Sequence, residues 1–146
     1  MPTPAESAVL VFGQSFNCSQ AVFSVFASQL GLENEIALKL ASPFGAGMAR
    51  RGESCGAVTG ALLVLGLARG ADKPAGKEEI YRLSQEFMRM FDEKHGTLLC
   101  RDLLAFDIST PESWLKAKEA GKFTTTCPQL VRDAAEIVQT LLELPA

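Results

Sequence analysis

Apolar residues recur along this chain three and four positions apart, which is the spacing of one face of an α-helix. The segment Lys77 to Lys94 shows the pattern most clearly, with an apolar face formed by Ile80, Leu83, Phe87 and Phe91. The strict alternation of apolar and polar residues that marks a half-buried strand is almost absent. The pattern therefore predicts an all-α fold.

The ends of the periodic segments carry residues that start and stop helices. Five helices are predicted on this basis, at about Cys18 to Leu30, Glu33 to Ala41, Cys55 to Arg69, Lys77 to Lys94 and Pro128 to Leu144. A sixth opens at Thr110 and Pro111, because threonine is a good N-cap and proline suits the first helical position, and Gly121 closes it. The segment Cys100 to Thr126 is the least regular, although its first residues, CRDLL, are compatible with a short helical turn.

The helix predicted at Cys55 to Arg69 is apolar nearly all round, as a helix at the centre of a domain is. It contains Gly56, Gly60 and Gly66, which lower helix propensity, and we expect them to permit close approach of neighbouring backbones. The chain shows no internal repeat, low-complexity tract or interdomain linker. The sequence thus predicts one compact multi-helix bundle over residues 1–146, built around this helix.

Composition and charge exclude several classes of partner. The net charge of −3 gives no reason to expect nucleic acid, and Arg50 and Arg51 form the only adjacent basic pair. The longest apolar run, Gly56 to Ala68, is shorter than the roughly 20 residues that span a bilayer. The N-terminal segment lacks the basic region of a secretory signal. We therefore expect a soluble cytoplasmic protein that is not embedded in a membrane.

Four single cysteines carry the candidate chemistry: Cys18, Cys55, Cys100 and Cys127. In the cytoplasm cysteines stay mostly reduced, so four of them favour a catalytic, redox or metal-binding role over structural disulfides. No C-x-x-C pair occurs, and without C-x-x-C-H no covalently bound haem is expected. Any joint site must therefore be assembled by tertiary convergence of separate helices.

Three of these cysteines follow a residue that commonly caps a helix, in the pairs Asn17–Cys18, Ser54–Cys55 and Thr126–Cys127. A helix N-terminus offers free N–H groups and the positive end of the dipole, which lower the pKa of a thiol and favour its thiolate. Only Cys100, after two leucines, lacks such a cap. We expect the four cysteines to converge at helix N-termini.

Two smaller features lie outside the cysteine pattern. The glycine-rich stretch Gly45-Ala46-Gly47 lacks the Lys-Ser/Thr ending of a phosphate loop and follows no strand, so we interpret it as a flexible turn. Trp114 and Tyr81 are candidates to line a cavity, although single aromatic residues on helices more often belong to the core.

The second cysteine opens the motif Cys55-Gly56-Ala57-Val58-Thr59-Gly60, which fits the pattern CGAxxG. With the ordered set of four cysteines, the chain resembles the C_GCAxxG_C_C family of redox-active proteins. The resemblance runs from FNCSQAV at Phe16–Val22 to CPQLVRDAA at Cys127–Ala135. It implies that the four cysteines are the functional residues, and that the protein has a redox role and a genomic association with transporter loci.

A related domain in split-Soret cytochromes holds a [2Fe–2S] cluster on cysteines, but the chain lacks the haem-attachment motifs of those proteins.

Three functions therefore stay open. The cysteines can exchange disulfides, as in a thiol–disulfide oxidoreductase. They can ligate an iron–sulfur cluster or zinc, for which four is the usual ligand count. They can also be buried structural residues of a helical interaction module. The redox partner and the oligomeric state, a homodimer included, are left open.

Overall fold

The structure is a computed structural model that describes residues 1–143. Within this range the chain forms eight right-handed α-helices and no strand, which confirms the all-α prediction. The helices are α1 (Pro4–Gly13), α2 (Cys18–Gln29), α3 (Asn34–Ala41), α4 (Gly56–Arg69), α5 (Lys77–His95), α6 (Cys100–Leu104), α7 (Pro111–Glu119) and α8 (Cys127–Glu143). The predicted end of the last helix, Leu144, lies outside the described residues.

Helix α1 is not predicted, because its apolar run is brief. Its start is nevertheless encoded locally: Thr3 accepts a hydrogen bond from the Glu6 N–H, and the Glu6 carboxylate accepts one from the Thr3 N–H. This reciprocal capping box, with Pro4 at the first helical position, is the signal that could have revealed the helix. Helix α1 packs against α8 and α2, so it closes one side of the bundle.

Helix α4 lies at the centre, as its apolar sequence predicts, and packs against α2, α5 and α8. Its contact with α2 is very close. A Cβ atom placed on Gly60 would lie 2.7 Å from the backbone oxygen of Ser19, and one on Gly56 would lie 3.0 Å from the Cβ of Cys18. The expected role is thus confirmed for these two glycines. It is wrong for Gly66, which is exposed and where an added Cβ atom would meet nothing within 4 Å.

A buried carboxylate joins α5 to α8. Asp133 is only 2% exposed, and its oxygens lie 3.1 Å from Lys94 Nζ and 2.9 Å from His95 Nε2. The Gln129 amide donates a further hydrogen bond to it at 2.8 Å. A buried charge of this kind needs such partners. The last turn of α5, which leads into Cys100, is therefore tied to α8.

The helices differ from membrane-spanning segments. None of those in residues 1–143 combines the length and the apolar character needed to cross a bilayer.

The two kinds of glycine in α4 give a direct test of the packing. Replacing Gly60 by alanine places a methyl group against Ser19, and we expect the free energy of unfolding to fall by roughly 1–3 kcal/mol. At Gly66 the methyl group of an alanine would contact no other atom, and alanine has the higher helix propensity. The free energy of unfolding of Gly66→Ala should therefore rise by up to about 1 kcal/mol. Chemical denaturation of both variants measures the difference, and equal effects would contradict the packing described here.

Candidate functional site

All four cysteines line one cavity of about 880 Å³. Each is a free thiol and each is buried, with exposed fractions between 2% and 8%. Each also stands at the start of a helix: Cys18, Cys100 and Cys127 are the first residues of α2, α6 and α8, and Cys55 is the N-cap of α4. Residues separated by tens of positions in sequence therefore share one site through the meeting of four helix N-termini.

The predicted caps are found in one case of three. Asn17 caps α2, where its side chain accepts from the Gln20 N–H, and it also donates to the Ser42 carbonyl at 3.0 Å. Ser54 is not a cap, because Cys55 itself occupies that position. Thr126 is the last residue of a π-helical turn, Lys122–Thr126, that runs directly into α8.

Ser54 has a different role, which is to bring two cysteines together. It forms an isolated antiparallel bridge with Leu99. Around this bridge the Cys55 N–H donates to the Leu98 carbonyl at 2.8 Å, and the Cys100 N–H donates to the Glu53 carbonyl at 2.7 Å. The starts of α4 and α6 are thereby fixed side by side. Periodicity gives no sign of such a short bridge.

The glycine-rich stretch forms a left-handed turn. Residues 46–50 all have positive φ angles, between 53° and 71°, and the Ala49 N–H donates to the Gly45 carbonyl at 2.8 Å. For residues other than glycine this conformation costs roughly 1–2 kcal/mol each. Gly47 sits where a Cβ atom would lie 2.7 Å from the Cβ of Cys100. The stretch is therefore packed against the site, and the expectation of a flexible turn is not supported by its buried glycines.

The thiols of Cys18 and Cys127 shift each other's pKa. Hydrogen bonding with the Cys18 thiol lowers the pKa of Cys127 despite the opposing effect of burial. The same hydrogen bond, followed by burial and the nearby Cys127 charge, raises the pKa of Cys18 well above its ordinary value. The pair is thus asymmetric, with Cys127 the thiol that ionises first.

The other two thiols are harder to ionise. Burial raises the pKa of Cys55 to about 11, although the N–H groups of Ala57 and Val58 act to lower it. Burial, with the negative charge on Cys55 and Cys127, raises the pKa of Cys100 to about 12. The prediction that helix N-termini make these cysteines acidic is therefore wrong for Cys18 and Cys55. For Cys127 the prediction of a lowered pKa has the right direction, but the main cause is the Cys18 thiol rather than the helix N-terminus.

The thiols do not form a ready site for a single metal ion. Among residues 1–143, no three His, Cys, Asp or Glu side chains are grouped so that they could hold one ion. A tetrahedral zinc site needs four ligands at one centre. The arrangement of the described side chains thus does not fit zinc, and we derive no step through a metal.

The sequence singles out the cysteines but not the mouth of their cavity. Arg50, Trp114 and Lys118 line it, and the guanidinium carbon of Arg50 lies 4.8 Å from the centre of the Trp114 ring. Trp114 also packs on Phe123, with 5.5 Å between ring centres. Trp114 therefore lines the cavity, as one of its two predicted roles states. Tyr81 is 52% exposed and does not line this cavity.

Fold and site together define an all-α protein with four buried thiols around one cavity. A family model described as "Putative redox-active protein (C_GCAxxG_C_C)" matches residues 16–141. The chain therefore belongs to this family, as its cysteine motif predicts, and the family's description points to a redox role. No curated protein and no solved structure gives a significant match.

The asymmetry of the thiols predicts an order of reaction. At neutral pH, iodoacetamide should alkylate Cys127 before the other three cysteines, because only its pKa is lowered. Replacing Cys18 by alanine removes the hydrogen-bond donor. The apparent pKa of Cys127, taken from the pH dependence of its alkylation rate, should therefore rise. Peptide mapping by mass spectrometry across neutral and alkaline pH measures both effects.

Two variants serve as controls for this experiment. Cys18→Ser keeps a hydroxyl donor and should retain much of the lowered pKa of Cys127. Cys100→Ala removes a thiol that does not contribute to the shift at Cys127 and should leave it in place. If Cys18→Ala and Cys100→Ala behave alike, the direct interaction of Cys18 and Cys127 is refuted.

Proposed function

We propose that the protein is a thiol–disulfide oxidoreductase whose reacting pair is Cys127 and Cys18. One feature carries the proposal: the two thiols line the same cavity at the starts of α2 and α8, and their pKa values shift in opposite directions. The thiolate is the attacking species in disulfide exchange, and a thiol of low pKa is also the better leaving group. Cys127 therefore supplies the nucleophile, and Cys18 is the resolving thiol beside it.

The reaction proceeds in two exchanges. The Cys127 thiolate attacks one sulfur of a substrate disulfide, the substrate S–S bond breaks, and the first substrate thiolate leaves. The Cys18 sulfur then attacks Cys127 in the mixed disulfide, and the second substrate thiolate leaves with the proton that Cys18 gives up. Two electrons pass from the two cysteines to the substrate. The substrate ends as two thiols, because its first thiolate takes from water the proton that Cys127 released on ionising. The protein ends with a Cys18–Cys127 disulfide.

Cys55 and Cys100 do not compete for the first step. With pKa values of about 11 and 12, both are protonated at neutral pH. They line the same cavity as the reacting pair. This shared position supports a later role for them, which is exchange with the Cys18–Cys127 disulfide.

Oxidation of the reduced protein by a small disulfide tests the pairing. We expect the Cys18–Cys127 disulfide to form first, seen by mass spectrometry as a cross-linked peptide pair that dithiothreitol separates again. The double variant Cys55→Ser/Cys100→Ser should still form it, and Cys18→Ser/Cys127→Ser should not. A first disulfide that pairs any other two cysteines would refute the assignment.

The same preparation separates the remaining functions. Protein purified anaerobically without chelator is assayed for iron, zinc and visible absorption before oxidation. Stoichiometric iron or zinc lost in all four single cysteine variants would replace the dithiol by a metal centre. Four thiols that react only after unfolding would instead indicate a helical module with structural cysteines.

A further inference from the structure

The mouth of the cysteine cavity carries charge of one sign. Two cations, Arg50 and Lys118, line the cavity, and no aspartate or glutamate of residues 1–143 does. Lys118 Nζ lies 5.5 Å from the centre of the Trp114 ring, near which Arg50 also lies. The whole chain has a net charge of −3, so this positive region is opposite in sign to the protein as a whole. A rim of this kind attracts anions and raises their local concentration.

Both cations are available to a ligand. Within the described part of the chain, neither Arg50 nor Lys118 has a carboxylate within salt-bridge distance, whereas the neighbouring Arg51 and Lys116 pair with Glu53 and Glu112. The lowered pKa of Cys127 has its cause in the Cys18 thiol and not in either cation. The two charges are therefore not used by a protein carboxylate or by the thiolate.

The backbone holds Arg50 in place at a cost. Its φ angle is 71°, at the end of the left-handed turn formed by residues 46–50. Strain of this kind persists where the surrounding structure enforces it, and it clusters at functional sites. The turn is anchored by the hydrogen bond from the Glu53 N–H to the Gly47 carbonyl at 2.9 Å. Arg50, at the end of this hydrogen-bonded turn, lines the cavity over the Trp114 ring.

The cavity has room for more than the four thiols. At about 880 Å³ it is within the range of small-molecule sites. Aromatic side chains, among them Phe12, Trp114 and Phe123, line it beside the two cations. Apolar walls with a few placed charges are typical of sites that bind a small organic ion.

We propose that Arg50 and Lys118 bind the carboxylates of a low-molecular-weight disulfide, and so select an anionic substrate for the Cys127–Cys18 pair. This inference rests on the proposed thiol–disulfide function and adds the class of substrate. The electron balance is that of the exchange above: the substrate S–S bond takes two electrons from the two cysteines and yields two carboxylate-bearing thiols. Trp114 would contact the apolar part of the ligand between the charges.

The test compares three disulfides of different charge on the reduced full chain. Glutathione disulfide is anionic, hydroxyethyl disulfide is neutral and cystamine is cationic. The second-order rate constant for formation of the Cys18–Cys127 disulfide is measured for each. Each rate constant is divided by the rate constant of the same reagent with a free small thiol. We expect this ratio to be highest for glutathione disulfide and lowest for cystamine. The advantage of glutathione disulfide should shrink as salt is added.

Charge-removing variants locate the effect. Arg50→Gln/Lys118→Gln should slow the reaction with glutathione disulfide roughly tenfold, because two exposed charge contacts are lost, and leave hydroxyethyl disulfide unchanged. Lys116→Gln is the matched control: it lies on the same helix as Lys118, is exposed and does not line the cavity. It should change neither rate more than about twofold.

The outcomes separate the two proposals. Anion selection would be refuted if the three disulfides react at equal relative rates. It would also be refuted if the double variant loses as much rate with hydroxyethyl disulfide as with glutathione disulfide. Neither result would contradict the dithiol function. No Cys18–Cys127 disulfide with any of the three would refute the proposed function itself. If the double variant does not fold, as judged by circular dichroism, the charge series and its salt dependence in the unaltered protein still decide the question.

Discussion

The close contact of α4 with α2 is the constraint on which the site depends. Gly56 and Gly60 carry no side chain, so the backbone of α4 can lie directly against Cys18 and Ser19. The buried Thr59 hydroxyl lies 3.5 Å from that of Ser19 in the same contact. Any larger residue at the two glycines would separate the helices. The helix N-termini that carry the first two cysteines would then no longer meet.

Burial and the helix N-terminus act in opposite directions on these thiols, and their magnitudes decide the result. A favourable position at a helix end contributes roughly 0.3–1 kcal/mol, which is less than one pKa unit at about 1.4 kcal/mol per unit. Burial shifts a fully enclosed group by up to several units. Desolvation therefore dominates at Cys55, where both effects are present. At Cys127 a hydrogen bond from a neighbouring thiol outweighs burial.

Local signals account for the parts of the fold that were predicted. Thr110 caps α7 by accepting from the Ser113 N–H, and Gly96 ends α5 in the left-handed conformation. Such signals involve residues within a few positions of each other, so one sequence is enough to read them. Two cap predictions were wrong for a shared reason. Ser54 pairs with Leu99, and Thr126 continues a π-helical turn, and both outcomes depend on backbone geometry rather than on residue type.

The sequence by itself determined the fold class, the central helix and the identity of the four cysteines, because hydrophobic period and motif are written in residue order. The tertiary structure decided the direction in which each thiol's pKa shifts, because burial and the mutual effect of Cys18 and Cys127 exist only when distant helix ends meet. It also placed Arg50 and Lys118 at the mouth of the cavity. Their residue types are ordinary for a surface, and only the tertiary fold brings Arg50 of the left-handed turn and Lys118 of α7 to the same Trp114 ring.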